Sequence, residues 1–365
     1  MTSLDVVRDP APTAEPGAAT EPRPPAEPGS LSELAGPGEV VLEVEDLVQR
    51  FSVPGGVVHA VDGVSFVLRR GETLALVGES GCGKSTLARS LMRLQRPRSG
   101  SVRLLGEELT AMPRRRLRRM LARMQMIFQD PISSLNPRRR TRDIIAEGLR
   151  IHGAERAGIP ARVREVMGEV GLDPDTMSER RPGDFSGGQC QRIAIARAMA
   201  LSPEVLICDE PVSALDVSVQ AQVLNLLERM RREHGLGMLF ISHDLSVVRN
   251  VSDRVAVMYL GKIVEIGDTD DVYAAPAHPY SRALIASVPA PGGAALAADA
   301  ELRGELPSPM RPPSGCRFRT RCPLASDRCA SEAPAFREIV PGRRVACHHP
   351  LIEALPAAQT AGAGS

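Results

Sequence analysis

The chain has 365 residues, 45 Lys and Arg against 44 Asp and Glu, 3% aromatics and no tryptophan. A net charge of +1 gives no bulk attraction for nucleic acid, and the scarcity of rings argues against a surface that stacks sugars or single-stranded bases. No apolar run approaches the roughly 20 residues that span a bilayer, and the acidic, proline-broken start MTSLDVVRDP lacks the apolar core of a signal peptide.

The length allows one large core and a second small unit. Residues 1–38, rich in Pro, Ala, Glu and Gly, are expected to be disordered. Alternating apolar residues then predict strands over Val40–Phe51 and Val57–Leu68. The apolar run Thr73–Val77 reads as a buried strand leading into GESGCGKST, Gly78 to Thr86. That stretch has the spacing G-x-x-x-x-G-K-[ST], in which backbone N–H groups curl around phosphates and a helix N-terminus favours their charge. Gly78, Ser80, Gly81, Gly83 and Thr86 would form the cradle. Lys84 would bring a positive charge, and Ser85 a hydroxyl for Mg²⁺.

A strand at Ser101–Gly106 precedes the basic run Arg114–Arg119, read as a solvated helix face with Leu117, Met120 and Leu121 turned inward. Helical spacing then fills much of residues 141–180, part of an expected helical subdomain over about 135–200. A helix at Gln191–Leu201, a strand at Val205–Asp209, a long helix at Val217–Glu233, a strand at Met238–Ser242 and a strand pair near 255–267 complete the pattern. Alternating strands and helices imply an α/β fold with a largely parallel sheet covered on both faces. Asp209 and Glu210 fall at the C-terminal end of a strand, where the crevice of such a sheet opens. Asp209 can reach Mg²⁺ through water, and Glu210 is placed to act as general base; the plainer reading is a structural ion pair. Pro289–Glu305 reads as a linker and 351–365 as a flexible tail.

Taken together, the P-loop, FSGGQ (Phe185–Gln189), VLICDE (Val205–Glu210) and SHD (Ser242–Asp244) resemble the nucleotide-binding subunits of ABC transporters, over about residues 40–350. The resemblance implies a P-loop ATPase core over 39–275, with an N-terminal antiparallel β-subdomain and the helical subdomain. Ser186, Gly187, Gly188 and Gln189 would meet the γ-phosphate of ATP held by a partner, so two ATP molecules join a head-to-tail dimer. Phe185 stands where leucine is commoner. Gln129 resembles the Q-loop glutamine that senses Mg²⁺ and touches membrane subunits. Ser213 to Asp216 resemble the D-loop at the dimer seam, and His243 the switch histidine on the γ-phosphate. Phe51 matches the aromatic that stacks on adenine, usually tyrosine, with Val53 and His59 as neighbouring candidates.

FQDPISSLNP (Phe128–Pro137), AHPYSRALIASVP (Ala277–Pro289) and GELPSPMRPPSGCRFRTRCP (Gly304–Pro323) resemble the oligopeptide and dipeptide importers, in the second of their two ATPases. This implies a C-terminal extension over 276–350, a sister ATPase, two membrane permeases and an extracytoplasmic substrate-binding protein. The chain would then sit peripherally on the cytoplasmic face of the membrane. Nickel, opine and glutathione importers share such ATPases. Translation-type members carry two cassettes and repair-type members long coiled coils; this chain has neither, and no nucleic-acid partner is expected.

Of seven cysteines, Cys82, Cys190 and Cys208 sit singly in ATPase motifs and read as small buried side chains. Cys316, Cys322, Cys329 and Cys347 follow the spacing C-x₅-C-x₆-C-x₁₇-C, with Arg317, Arg319, Arg321 and Arg328 beside them, which predicts thiolate character. The resemblance implies a [4Fe–4S] cluster here, with zinc or no metal as alternatives. A redox or metal-sensing role for these cysteines, with hydrolysis secondary, is the competing reading.

Overall fold

The structure, a computed structural model, describes residues 38–287 and 304–352. The expected N-terminal tail apart from Gly38, the linker apart from its last two residues, and the terminal tail beyond Ile352 lie outside the described residues. Among the described residues, no helix is long and apolar enough to cross a membrane.

The chain opens with β1 (Val40–Val53) and β2 (Gly56–Arg69), then β3 (Thr73–Val77) and α1 (Lys84–Leu91). Strands β4 (Ser99–Leu104) and β5 (Glu107–Glu108) follow, then α2 (Arg114–Leu121) and β6 (Met124–Ile127). A helical stretch comprises α3 (Pro131–Ser134), α4 (Thr141–Ile151), α5 (Ile159–Glu169), α6 (Pro174–Met177) and α7 (Gly187–Met199). The chain returns to the sheet with β7 (Val205–Asp209), α8 (Val217–His234), β8 (Gly237–Ile241), α9 (Leu245–Val251), β9 (Arg254–Tyr259) and β10 (Lys262–Asp268). Last come α10 (Thr269–Ala274), α11 (Pro279–Ala286), α12 (Asp327–Ser331), β11 (Arg337–Val340) and β12 (Arg343–Val345).

Two sheets organise these elements. The first is antiparallel, ordered β2-β1-β4-β5, with β1 and β2 paired from Val40↔Arg69 to the tight turn at Val53↔Gly56. The second is ordered β11-β12-β10-β9-β3-β8-β7-β6. Its five strands from β9 to β6 run parallel, and β3, β7 and β8 are buried at every residue, as expected of strands covered on both faces. At the other edge β10, β12 and β11 add in antiparallel fashion.

That edge joins the C-terminal extension to the main sheet. Cys316, Phe318 and Cys329 belong to the same apolar cluster as β7, α7 and α8 residues such as Leu206, Ile193 and Leu226, so this part of the extension shares the main core, while Ala277, Ile339, Val345 and Cys347 form a small cluster of their own. A buried ion pair reinforces the seam. Glu265 of β10, with no exposed surface, faces Arg343 of β12 (Nε to Oε1, 3.0 Å) and also accepts the N–H groups of Ala277 and His278, both at 2.9 Å.

Helix α2 keeps its arginines outside, while Leu117, Met120 and Leu121 pack partly buried on the N-terminal cluster. Helix α7 starts four residues earlier than Gln191, because Ser186 and Gln189 form a capping box. The Ser186 hydroxyl accepts from the Gln189 N–H at 3.3 Å, and Gln189 Oε1 accepts from the Ser186 N–H at 3.0 Å.

Candidate nucleotide site

Strand β3 ends at Val77, and the chain turns through Gly78–Gly83 into α1. Gly83 has φ 113°, and a Cβ there would lie 2.1 Å from the carbonyl oxygen of Ala60, so only glycine lets the loop pass beneath β2. The Lys84 ammonium folds back to donate to the carbonyls of Gly78 at 2.7 Å and Glu79 at 3.1 Å. Ser85 Oγ donates to Asp209 Oδ1 at 2.9 Å. Burial at the end of β7 pushes the Asp209 carboxyl above its usual range, with the Ser85 hydroxyl opposing. A hydroxyl and a carboxylate side by side are the hard oxygen donors that Mg²⁺ prefers.

These residues border a cleft of about 370 Å³. Ser80, Gly81, Gly83, Lys84, Ser85 and Thr86 line its polar side, Gln129 and Glu210 its mouth, and Phe51, Val58, Ala60 and Pro309 its apolar side. Register explains the apolar wall. Phe51 pairs with Val58 across β1 and β2, and Ala60 is the extra residue of a bulge between the pairs Arg50↔His59 and Gln49↔Val61. Neither His59 nor Val53 lines the cleft.

At the mouth three side chains meet on one oxygen. Gln129 Nε2 donates to Glu210 Oε2 at 2.9 Å, and His243 Nδ1 lies 3.2 Å from the same atom. Glu210 holds φ 49°, a left-handed value uncommon outside glycine, fixed by its N–H donating to Ile241 O of β8 at 3.0 Å. Such strain keeps the carboxylate at the strand end, where a side chain continuing β7 would not point.

The signature residues stand apart. Ser186, Gly187, Gly188 and Gln189 do not line the cleft of their own chain. They form the first turn of α7, with the Gln189 side chain committed to the capping box and Ser186 exposed. A Cβ on Gly188 would come within 2.4 Å of a Val219 methyl, so glycine sets how closely α7 approaches α8. Asp216 caps α8, accepting from the Val219 N–H at 3.0 Å and the Ser218 hydroxyl at 2.7 Å, bonds that hold its carboxyl below the usual range.

Several contributors escaped sequence reasoning. Tyr280 of the His-Pro-Tyr segment is fully buried, and its hydroxyl accepts the Glu79 N–H at 2.9 Å. Arg321 Nη1 donates to both carboxylate oxygens of Glu79, at 2.8 and 3.1 Å. Arg317 bonds to Asp62 and to the Leu260 carbonyl. Tyr259, Tyr280 and Phe318 pack edge to face or tilted, with centroids 4.7 to 5.4 Å apart. Tyr280, Arg321 and Pro309 all lay in segments already singled out, but nothing in the sequence places them against the P-loop or the cleft.

Cys82, Cys190 and Cys208 are buried, as expected. Thiolate character is not what the structure gives Cys316, Cys322 and Cys347. Burial pushes the Cys316 and Cys322 thiols up and Cys347 up to about 12, the last with smaller additions from the other three thiols. The neighbouring arginines are engaged elsewhere: Arg317 with Asp62, Arg319 with Ser314, Arg321 with Glu79 and Arg328 with Glu332. The mutual influence of the thiols puts all four in one neighbourhood. Among the described residues, no three of His, Cys, Asp or Glu converge on a single-ion site.

Residues 61–213 match the family model described as ABC transporter, and residues 264–329 the model described as oligopeptide/dipeptide transporter, C-terminal region. The oligopeptide transport ATP-binding protein AppF of Bacillus subtilis is 48% identical, covering 85% of this chain and 97% of its own. YkfD of the same organism is 52% identical over 84% of this chain and 95% of its own length. Among solved structures, cbiO1 from Clostridium perfringens, part of the ABC transporter complex cbiONQ, matches with a TM-score of 0.58 and 28% identity, over 65% of this chain and 91% of that one. The bacterial ABC transporter cassette MJ0796, solved as a dimer, matches in fold with a TM-score of 0.57 and 23% identity, over 62% of this chain and 98% of that one. With a relative about half identical over nearly its whole length, and the ABC cassette followed by the oligopeptide-type C-terminal region, the chain belongs to the ABC transporter ATP-binding subunits of the oligopeptide/dipeptide family.

Proposed function

We propose that this chain hydrolyses ATP to energise uptake of oligopeptides or dipeptides through a membrane transporter. The meeting of Gln129 and His243 on Glu210, at the mouth of a P-loop cleft, carries the reading.

In this reading the P-loop amides and Lys84 hold the β- and γ-phosphates. Lys84 first exchanges its bonds to Gly78 and Glu79 for phosphate oxygens. Ser85, Asp209 and Gln129 would hold Mg²⁺, which when bound neutralises charge on the transferred phosphoryl group. Glu210 accepts the proton of the attacking water, and His243 steadies the γ-phosphate. Gln129 and His243 both contact Oε2 of Glu210, so on closure of the cleft they would exchange that contact for Mg²⁺ and the γ-phosphate while Glu210 takes up the water. Seating the signature residues Ser186 to Gly188 of a second ATPase over the γ-phosphate would supply that closure, with Asp216 at the seam.

Partners follow from the same reading: a sister ATPase, two permeases that keep this chain on the cytoplasmic face, and, through the complex, an extracytoplasmic binding protein. Cys316, Cys322, Cys329 and Cys347 would hold a [4Fe–4S] cluster, which supplies a covalent tie across the extension and a structural or sensing role. Zinc on the same four cysteines is the alternative occupant.

A Glu210→Gln variant purified from native membranes tests the proposal. It should retain ATP, lose hydrolysis by about 10²–10⁴-fold, and bring down two polytopic permeases with a second ATPase. Recovery without permeases, or with ribosomes or DNA, would overturn the transport reading.

A further inference from the structure

We infer that the C-terminal extension supplies part of the nucleotide site itself, with Pro309 forming the apolar wall against which the base or ribose of the bound nucleotide rests. The inference deepens the proposed ATPase reading and rests on it.

Pro309 borders the same cleft as Ser80–Thr86 and Phe51, although it lies more than two hundred residues beyond them in sequence. It is held there rather than merely near. Its carbonyl accepts the His59 N–H at 3.0 Å, so the segment attaches to β2 immediately beside Val58 and Ala60, the other apolar lining residues. Around it the chain is tightly turned: the Ser308 carbonyl accepts the Arg311 N–H at 3.1 Å, and the Ser308 hydroxyl accepts the Met310 N–H at 3.3 Å. The Met310 methyl sits over the Gly55–Gly56 turn, close enough that a Cβ on Gly56 would lie 3.2 Å from it. The proline ring fixes φ of its own residue, so the wall has little freedom left.

A second anchor belongs to the same extension. Arg321 is buried and grips Glu79 inside the P-loop, while Arg317 grips Asp62 on β2. The extension therefore touches the cleft's polar side from behind and its apolar side directly. The cleft divides by chemistry in the same way. Its P-loop side offers amides and an ammonium, suited to a polyphosphate, whereas Phe51, Val58, Ala60 and Pro309 offer flat apolar surface and no charge. One ligand with a polyanionic end and an aromatic end satisfies both.

The test uses the full chain and two probes, ATP and inorganic tripolyphosphate, with binding measured by calorimetry for wild type, Pro309→Gly and Pro309→Glu. Losing the ring should weaken ATP by about three- to tenfold, the size of a few methylene contacts. Glutamate should weaken it further, and the KM for ATP should rise alongside. Tripolyphosphate should bind wild type and Pro309→Gly equally, which also reports that the P-loop is intact. If wild type binds neither probe, the ATPase reading itself fails. If wild type binds ATP and both variants bind it as tightly, the wall is overturned and the ATPase reading stands. Equal weakening of ATP and tripolyphosphate by Pro309→Gly would likewise overturn it, since the effect would then lie in the P-loop.

Discussion

The two sides of the cleft are written into the chain in opposite ways. Its polar side comes from one contiguous stretch, Gly78 to Thr86, whose spacing alone dictates its shape. Its apolar side is gathered from β1, β2 and a segment of the C-terminal extension. The first can form wherever a strand meets a helix. The second is complete only when the extension is docked and brings Pro309 beside β2, so the shape of the cleft and the packing of the extension are linked. Predictions that separate the two sides, or fail to, test this contrast.

The largest effect should come from the seam between β10 and β12. Arg343→Met leaves the Glu265 carboxyl fully buried without its guanidinium partner, facing the backbone N–H groups of Ala277 and His278. Removing one partner of such a pair costs about 3–5 kcal/mol. Chemical denaturation should show a lowered midpoint for one cooperative transition, because part of the extension shares the apolar cluster of the ATPase half. Adding Glu265→Gln to Arg343→Met should restore part of the loss. Two separate transitions, with only the minor one shifted, would mean that the extension folds as its own unit and would break the contrast at its root.

How much of this was legible follows from the same distinction. Val205–Asp209 and Thr73–Val77 are strands at the residues expected, since short apolar runs between turn signals admit little else. Glu210, Gln129 and His243 were each legible as motif residues, and each sits at or just beyond a strand end facing the same crevice. The docking of β11 and β12 was not legible. Strands of four and three residues carry no usable alternation, and their place beside β10 depends on a buried pair formed by Glu265 and Arg343. The thiolate expectation failed for a related reason: a run of arginines near cysteines in sequence says nothing about where the guanidinium groups point, and here they reach Asp62, Glu79, Glu332 and Ser314.

A smaller effect, and one readable by pH, sits in the same seam. His278 caps α11, accepting the Tyr280 N–H on Nδ1 at 3.0 Å, and is buried against Phe318. Burial lowers its pKa from 6.5 to about 3. The unfolded chain therefore binds more protons than the folded one between those values, and the stability due to a neutral His278 is complete above about pH 6.5. It declines as pH falls through that window, with no further loss below about 3. By pH 5 the decline amounts to about 2 kcal/mol. His278→Asn keeps a capping acceptor without a titrating ring, so its stability should fall less between pH 7 and pH 5 by about that amount. Parallel pH profiles for the two proteins would remove the seam's titrating group from the account.

The smallest effect bears directly on the apolar side. Phe51 and Pro309 line that side together, one from the first strand and one from the extension. Phe51→Ala removes a ring that can stack on the base, and ATP should bind about three- to tenfold more weakly, while tripolyphosphate binds as before. Val53→Ala should leave ATP binding unchanged, because Val53 is exposed and does not line the cleft. The informative measurement is the double variant Phe51→Ala with Pro309→Gly. Two walls that touch one base should not contribute independently: once the ring of Phe51 is gone, the base is less fixed, and Pro309 has less to hold. A combined loss smaller than the product of the two single losses is therefore the expected result. If the losses multiply, Phe51 and Pro309 touch different parts of the nucleotide, and the apolar side is two separate contacts rather than one slot closed from both ends of the chain.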